Sequence, residues 1–146
     1  MSKERYMLKS AVYLILIKDG KVLLSRRFNT GWMDGQYSLI AGHLDGNKSV
    51  SDSMIREAFE EAGIKVNKED FKPAKAVHRK SSDAEYIDFF FIAEKWEGEP
   101  KIMETDKCDD MSWFSIDNLP ENTLPHVKDV IKHLGDGVAF IESGWD

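Results

Sequence analysis

The sequence predicts an α/β fold, a mixed β-sheet covered by helices on its faces. Three observations predict it. Short apolar runs rich in β-branched and aromatic residues recur from Lys9 to Ile116. Only two segments carry a helical repeat, and they lie about 60 residues apart, too far for a regular βα alternation. Strands fall before, between and after those helices. A chain of 146 residues that is 42% hydrophobic and 32% charged, with 4 Pro and 10 Gly, suits one globular domain over residues 1–146. No internal repeat, low-complexity stretch or domain boundary interrupts it.

Lys9 to Ile17 is apolar and β-branched enough for a buried strand. Asp19-Gly20 is a strong turn signal, and Lys21 to Ser25 resumes as the partner strand of a hairpin. Arg27 to Gln36, with Asn29, Gly31, Asp34 and Gly35, reads as a loop, and Tyr37 to Ala41 as a short strand. A second loop, Gly42 to Lys48, leads to Ser49 or Ser51 as a helix cap. Ile55, Ala58, Phe59 and Ala62 share one stripe of that helix, and Gly63 stops it. Phe71 to Arg79, Glu85 to Trp96 and Met111 to Ile116 read as strands. Pro125 opens a second helix to about Leu134, burying Val127, Val130, Ile131 and Leu134. The tail from Gly135 to Asp146 carries no clear pattern.

Composition narrows the function. With 20 basic against 26 acidic residues the net charge is -6, so a nucleic-acid polymer is disfavoured as a partner and a phosphate ligand needs local cations or a metal. The apolar run Ala11 to Ile17 is too short to span a bilayer. Lys3, Glu4 and Arg5 break any leader pattern and Cys108 is the single cysteine, so a cytoplasmic location is the expectation.

The chemistry concentrates on the first helix. With Ile55 at zero, Glu57, Glu60 and Glu61 fall at roughly 200°, 140° and 240°, which sends all three carboxylates to the face opposite the apolar stripe. An exposed polar face is the ordinary reading. Against it, Glu57 and Glu61 form a repulsive i, i+4 pair, and all three acids sit toward the helix end that disfavours negative charge. Clustered carboxylates are instead what a hard divalent cation such as Mg²⁺ or Mn²⁺ binds, commonly bridging to substrate phosphates.

The residues around this patch resemble a known motif. Gly42-His-Leu-Asp-Gly-Asn-Lys48, seven residues, then Arg56-Glu-Ala-Phe-Glu-Glu-Ala-Gly-Ile64 is similar to the Nudix box, GX5EX7REUXEEXGU with U aliphatic. The second half matches at every fixed position, a coincidence expected about once in 10⁵ such chains. One position departs. Lys48 stands where the box has its first Glu, which supports the loop-helix-loop and sometimes the metal.

The resemblance covers about Tyr6 to Leu134 and implies the Nudix fold, an α/β/α sandwich with a mixed sheet. It implies a metal-dependent hydrolase of a nucleoside diphosphate linked to another moiety X, using Mg²⁺, for which Mn²⁺ substitutes. Glu60 and Glu61 are then metal ligands, Glu57 a metal ligand or the base that activates water, and Arg56 the residue that orients them. The Gly42 carbonyl is a further ligand. Trp96-Glu-Gly-Glu-Pro100 is similar to a segment of MutT-type family members, and continuing that match makes Glu104 an extra acidic ligand. Asp106, Asp109 and Asp110 are nearby acids that could share its role.

For substrate, Arg26 and Arg27 suit phosphates or a base, and strand alternation would send only one of the pair to the site. Trp32 and Tyr37 could stack on a base, and Asn122 falls near a base-contacting position of the MutT type. His43, His78 and His126 could face the cleft, without the spacing of a zinc site. Cys108 lacks a partner base and reads as a small packing or loop residue. A (deoxy)nucleoside triphosphate, cleaved to monophosphate and pyrophosphate, is the expected substrate. The Tyr of dinucleoside polyphosphate hydrolases and the signature of NADH pyrophosphatases are both missing, and Pro73 is too close for the ADP-ribose pattern. Hydrolysis of a nucleotide sugar or ADP-ribose, or a non-catalytic nucleotide-binding module, are the alternatives. Many members dimerise, so a homodimer fits as well.

Overall fold

The computed structural model describes residues 4–145. Eight strands and two helices follow in the order β1 (Lys9–Lys18), β2 (Lys21–Arg27), β3 (Tyr37–Ser38), β4 (Ile40–His43), α1 (Val50–Ala62), β5 (Phe71–Lys80), β6 (Glu85–Ala93), β7 (Cys108–Ser115), α2 (Pro125–Lys132) and β8 (Phe140–Ser143). A 3-10 turn over Lys68–Asp70 leads into β5. The sheet is mixed: β1 runs parallel to β6 and β5 to β8, and the remaining pairs are antiparallel.

Strand β1 organises both layers through simple alternation. Its odd residues Ala11, Tyr13 and Ile15 pack with Val127, Val130 and Ile131 of α2. Its even residues Val12, Leu14 and Leu16 pack with Met54, Ala58 and Ala62 of α1. Both faces are therefore covered, which makes the α/β/α sandwich. One edge of β1 is bonded to β6 along Lys9 to Leu16, while the other is shared by β4 and the start of β2.

The termini of α1 follow local chemistry. Ser49 caps the helix by accepting from the Asp52 amide at 3.1 Å, and Gly63 ends it in the left-handed region at φ 68°.

Several expectations are corrected. The buried arc of α1 runs through Met54, Ala58 and Ala62, rotated by roughly 50° from the predicted stripe. Phe59 is 62% exposed, because the sheet lies against the side from which Met54 projects. The predicted strand Tyr37 to Ala41 is two strands on different partners, β3 on β2 and β4 on β1. The strand predicted to reach Trp96 stops at Ala93, and the tail holds the edge strand β8. Among the described residues no helix is long and apolar enough to cross a membrane.

Candidate active site

Where α1 meets β4, two carboxylates are pressed against backbone. The Ala41 amide donates to Glu61 Oε1 at 3.0 Å. Gly42 abuts Glu57: a Cβ on Gly42 would sit 2.1 Å from Glu57 Cδ, so only glycine lets the strand and this carboxylate approach so closely. The Glu57 side chain is 12% exposed and receives a hydrogen bond from Arg56 Nη2 at 3.2 Å. Glu60 is exposed. The three acids therefore do not share one outward face. The rotation of the helix turns Glu57 and Glu61 toward β4 and leaves only Glu60 outside.

Electrostatics follow from that placement. Burial pushes the Glu61 carboxyl up to about 8, with the charges of Glu57 and Glu104 adding to it and the Ala41 amide opposing. Burial also raises Glu57, reinforced by Glu60 and offset by Arg56. Glu104 reaches the site because its loop closes the end of α1. The Met103 amide donates to the Glu61 carbonyl at 3.3 Å and the Lys101 amide to the Ala62 carbonyl at 3.1 Å. Among the described residues no three His, Cys, Asp or Glu side chains already form a closed ligand set. The donors nonetheless fit a divalent metal: they are all oxygen, they repel one another, and the bare Gly42 backbone brings β4 directly onto the Glu57 carboxylate.

Glu61 and Glu104 line a cleft of about 750 Å³, a size typical of small-molecule sites, whereas Glu57 and Glu60 stand outside its lining. Gly42 lines it too, as do Arg26, Arg27, Trp32 and His43. Both arginines line the cleft, where alternation predicted one. A register shift between Arg26 and Arg27 breaks the pleat of β2 on β7. Arg26 pairs with Asp109 at 2.7 Å, and the Arg27 guanidinium lies 4.8 Å from the Trp32 ring centroid. Arg27 also donates to the Trp32 carbonyl at 2.7 Å and to the Thr30 hydroxyl at 2.9 Å, so it braces the loop that carries Trp32.

Tyr37 and Asn122 do not line the cleft. The Tyr37 hydroxyl donates to Asp110 at 2.5 Å while its ring packs edge-on to Phe114, and Asn122 Nδ2 holds the Gly35 carbonyl at 2.8 Å. With Asp109 and Asp110 paired in this way, Glu104 is the acid of that segment that lines the cleft. His126 lies under the sheet at Tyr13, and His78 packs against Trp145. Cys108 lines the cleft at the start of β7, where burial raises its thiol.

A further part of the cleft lining was not legible in the sequence. Arg79 on β5 donates through Nε to Asp88 on β6 at 2.7 Å, and Asp88 is fully buried. The Arg79 guanidinium also lies 4.1 Å from the Tyr86 ring centroid. Arg79, Tyr86 and Lys9 all line the cleft. A buried ion pair is an expensive way to build a wall, and it leaves a fixed planar donor beside an aromatic ring. The only signal in sequence was the odd placement of Arg79 and Asp88 within apolar strands.

Comparison with known proteins identifies the family. The family model described as NUDIX domain matches residues 7–134. The chain belongs to the NUDIX family. The NAD-capped RNA hydrolase NudC of Pseudomonas aeruginosa is 29% identical over 129 residues, 88% of this chain and 43% of that protein. Its counterpart in Chromobacterium violaceum is 27% identical, over 92% of this chain and 49% of that one. The chain thus spans less than half the length of these relatives. The MutT NUDIX hydrolase from Burkholderia pseudomallei superposes with a TM-score of 0.81 at 22% identity, covering 87% of this chain and 98% of that one. The MutT protein from Methanosarcina mazei Go1 superposes at 0.76 and 20% identity, covering 90% and 95%. These likenesses are of fold.

Proposed function

We propose that the chain hydrolyses a pyrophosphate bond in a nucleoside diphosphate linked to X, with a (deoxy)nucleoside triphosphate as substrate. One observation carries the reading: Glu61 is held by the β4 backbone in a cleft lined by Gly42, Glu104, arginines and aromatics, and Glu57 is packed against that same Gly42. Glu57, Glu60, Glu61, Glu104 and the Gly42 carbonyl would hold Mg²⁺ or Mn²⁺. When bound, the metal supplies charge neutralisation at the phosphate oxygens and an acidified water.

The protein's own groups do the rest. The Ala41 amide fixes Glu61, and Arg56 fixes Glu57, so neither carboxylate has to be ordered when substrate arrives. Water attacks phosphorus, its proton passes to a carboxylate, and the bridging P–O bond breaks with pyrophosphate leaving. Glu57 is suited either to accept that proton or to ligate, and both roles require it fixed. Arg26 and Arg27 neutralise the outer phosphates, and Trp32 offers a ring face to the base. Arg79 and Tyr86 form a planar surface in the same cleft, where the base or X rests.

A second substrate reading has its own support. Relatives named as NAD-capped RNA hydrolases align over most of this chain, and the Arg79–Tyr86–Lys9 wall leaves room for a larger X. The deciding experiment incubates the protein with Mg²⁺ or Mn²⁺ and a panel of nucleoside triphosphates, NAD, ADP-ribose and nucleotide sugars. Monophosphate plus pyrophosphate from triphosphates is the expected product. Cleavage of NAD alone would replace the substrate and keep the reaction, and no turnover of any compound would sink the proposal.

A further inference from the structure

We infer that Asp45 is a positioning residue, holding Arg56 and through it Glu57 in place of the carboxylate that the box motif carries at position 48. The inference rests on the proposed role of Glu57 in holding the metal. Position 48 is Lys48, exposed, and it cannot pair with a guanidinium. The loop instead turns back on itself, with Gly46 at φ 88° and Asn47 at φ 60°, both left-handed. That turn brings Asp45 to α1, where Arg56 Nη2 sits 3.4 Å from Asp45 Oδ2 and 3.2 Å from Glu57 Oε1. One guanidinium nitrogen thus bridges the loop acid and the site acid.

The substitution is incomplete, and the structure shows where. Arg56 Nε is buried and has no hydrogen-bond partner among the described residues. A guanidinium presents a fork of donors, and the Asp45 contact uses only one of them. The unused Nε is the donor that a carboxylate at position 48 is expected to engage. Asp45 itself is 70% exposed, so its pairing adds little to the stability of the fold. Its effect falls on the orientation of Arg56, and hence on Glu57.

The test is a cycle of four proteins: wild type, Asp45→Asn, Lys48→Glu and the double variant. Mn²⁺ affinity is read by the spin-resonance signal of the free ion, and kcat and KM are read on the best nucleotide of the panel. Asp45→Asn is expected to weaken Mn²⁺ binding about tenfold and to lower kcat more than KM, with an unchanged melting temperature. Lys48→Glu is expected to bind Mn²⁺ at least as tightly as wild type, and the double variant to match Lys48→Glu, because the new carboxylate holds Arg56 alone. An Asp45→Asn protein indistinguishable from wild type would overturn the inference. So would the same tenfold loss in both backgrounds, which would make positions 45 and 48 independent. Should wild type hydrolyse no nucleotide, the hydrolase reading fails, while the Mn²⁺ titrations still decide the role of Asp45.

Discussion

His126 couples stability to pH with a size and sign that follow from its surroundings. It lies in the first turn of α2, 4% exposed, with Nε2 2.9 Å from the Tyr13 hydroxyl. The Tyr13 and Phe90 rings, at 5.4 and 6.4 Å, meet it edge-on. Burial lowers its pKa from 6.5 to about 3, and Arg79 adds to the effect, so the imidazole is neutral in the fold. The unfolded chain binds this proton more readily. Stability from the neutral ring is therefore complete above pH 6.5 and declines as pH falls toward 3. At pH 5 the loss relative to pH 7 is about 2 kcal/mol, a figure that needs only a folded pKa well below 5. The perturbation is His126→Gln, which does not titrate but still offers Tyr13 an acceptor. Urea unfolding of both proteins, free of metal, at pH 7 and pH 5 is the assay. Glu57, Glu61 and Asp88 are raised and act with the opposite sign, but both proteins contain them and their contribution cancels in the difference. Wild type should lose about 2 kcal/mol more than the variant. Equal losses would show that the ring is charged or solvated in the fold and refute the reasoning.

Two further outcomes test the acids of the site. Glu61→Gln should lower kcat by at least about 10², since a neutral amide is a poor replacement for a carboxylate ligand. The same variant should melt higher than wild type at pH 9 without metal. A raised carboxyl loses its stabilising contribution as pH rises from 4.5 through about 8, and Gln has no such loss. Gly42→Ala should leave the melting temperature within a few degrees yet remove most turnover. The new Cβ meets the flexible end of Glu57, which swings away and leaves its position.

The strands of the fold were legible because burial leaves a periodic trace. Every predicted strand from Lys9 to Ile116 overlaps an observed one, α1 begins directly after its Ser49 cap, and α2 begins at Pro125. The edge strand β8 left no trace. It is a four-residue segment in which Phe140 is exposed and which pairs with β5 on one side only, so no alternation marks it. The orientation of α1 was misjudged for a related reason. Phe59 supplied apolarity to the stripe without being buried, whereas Met54, fully buried, lay outside it. A helical wheel weighs residue types, but the sheet chooses the face.

That rotation also explains why the box motif was readable while its environment was not. Motif spacing identified Arg56, Glu57, Glu60 and Glu61, yet it suggested three equivalent carboxylates on one outward face. In the fold Glu61 is bonded to the Ala41 amide, Glu57 is wedged against Gly42, and Glu60 stays outside. Those differences are set by β4, and β4 is positioned by pairing with β1 across Ala11 to Leu14. The Arg79 part of the lining depends on distant pairing in the same way. Arg79 and Asp88 are nine residues apart and joined only because β5 and β6 pair in antiparallel register. Two adjacent arginines reach one cleft only because the pleat breaks between them. A local pattern can name the groups that perform chemistry, but the burial that tunes them comes from strands brought together from distant parts of the chain.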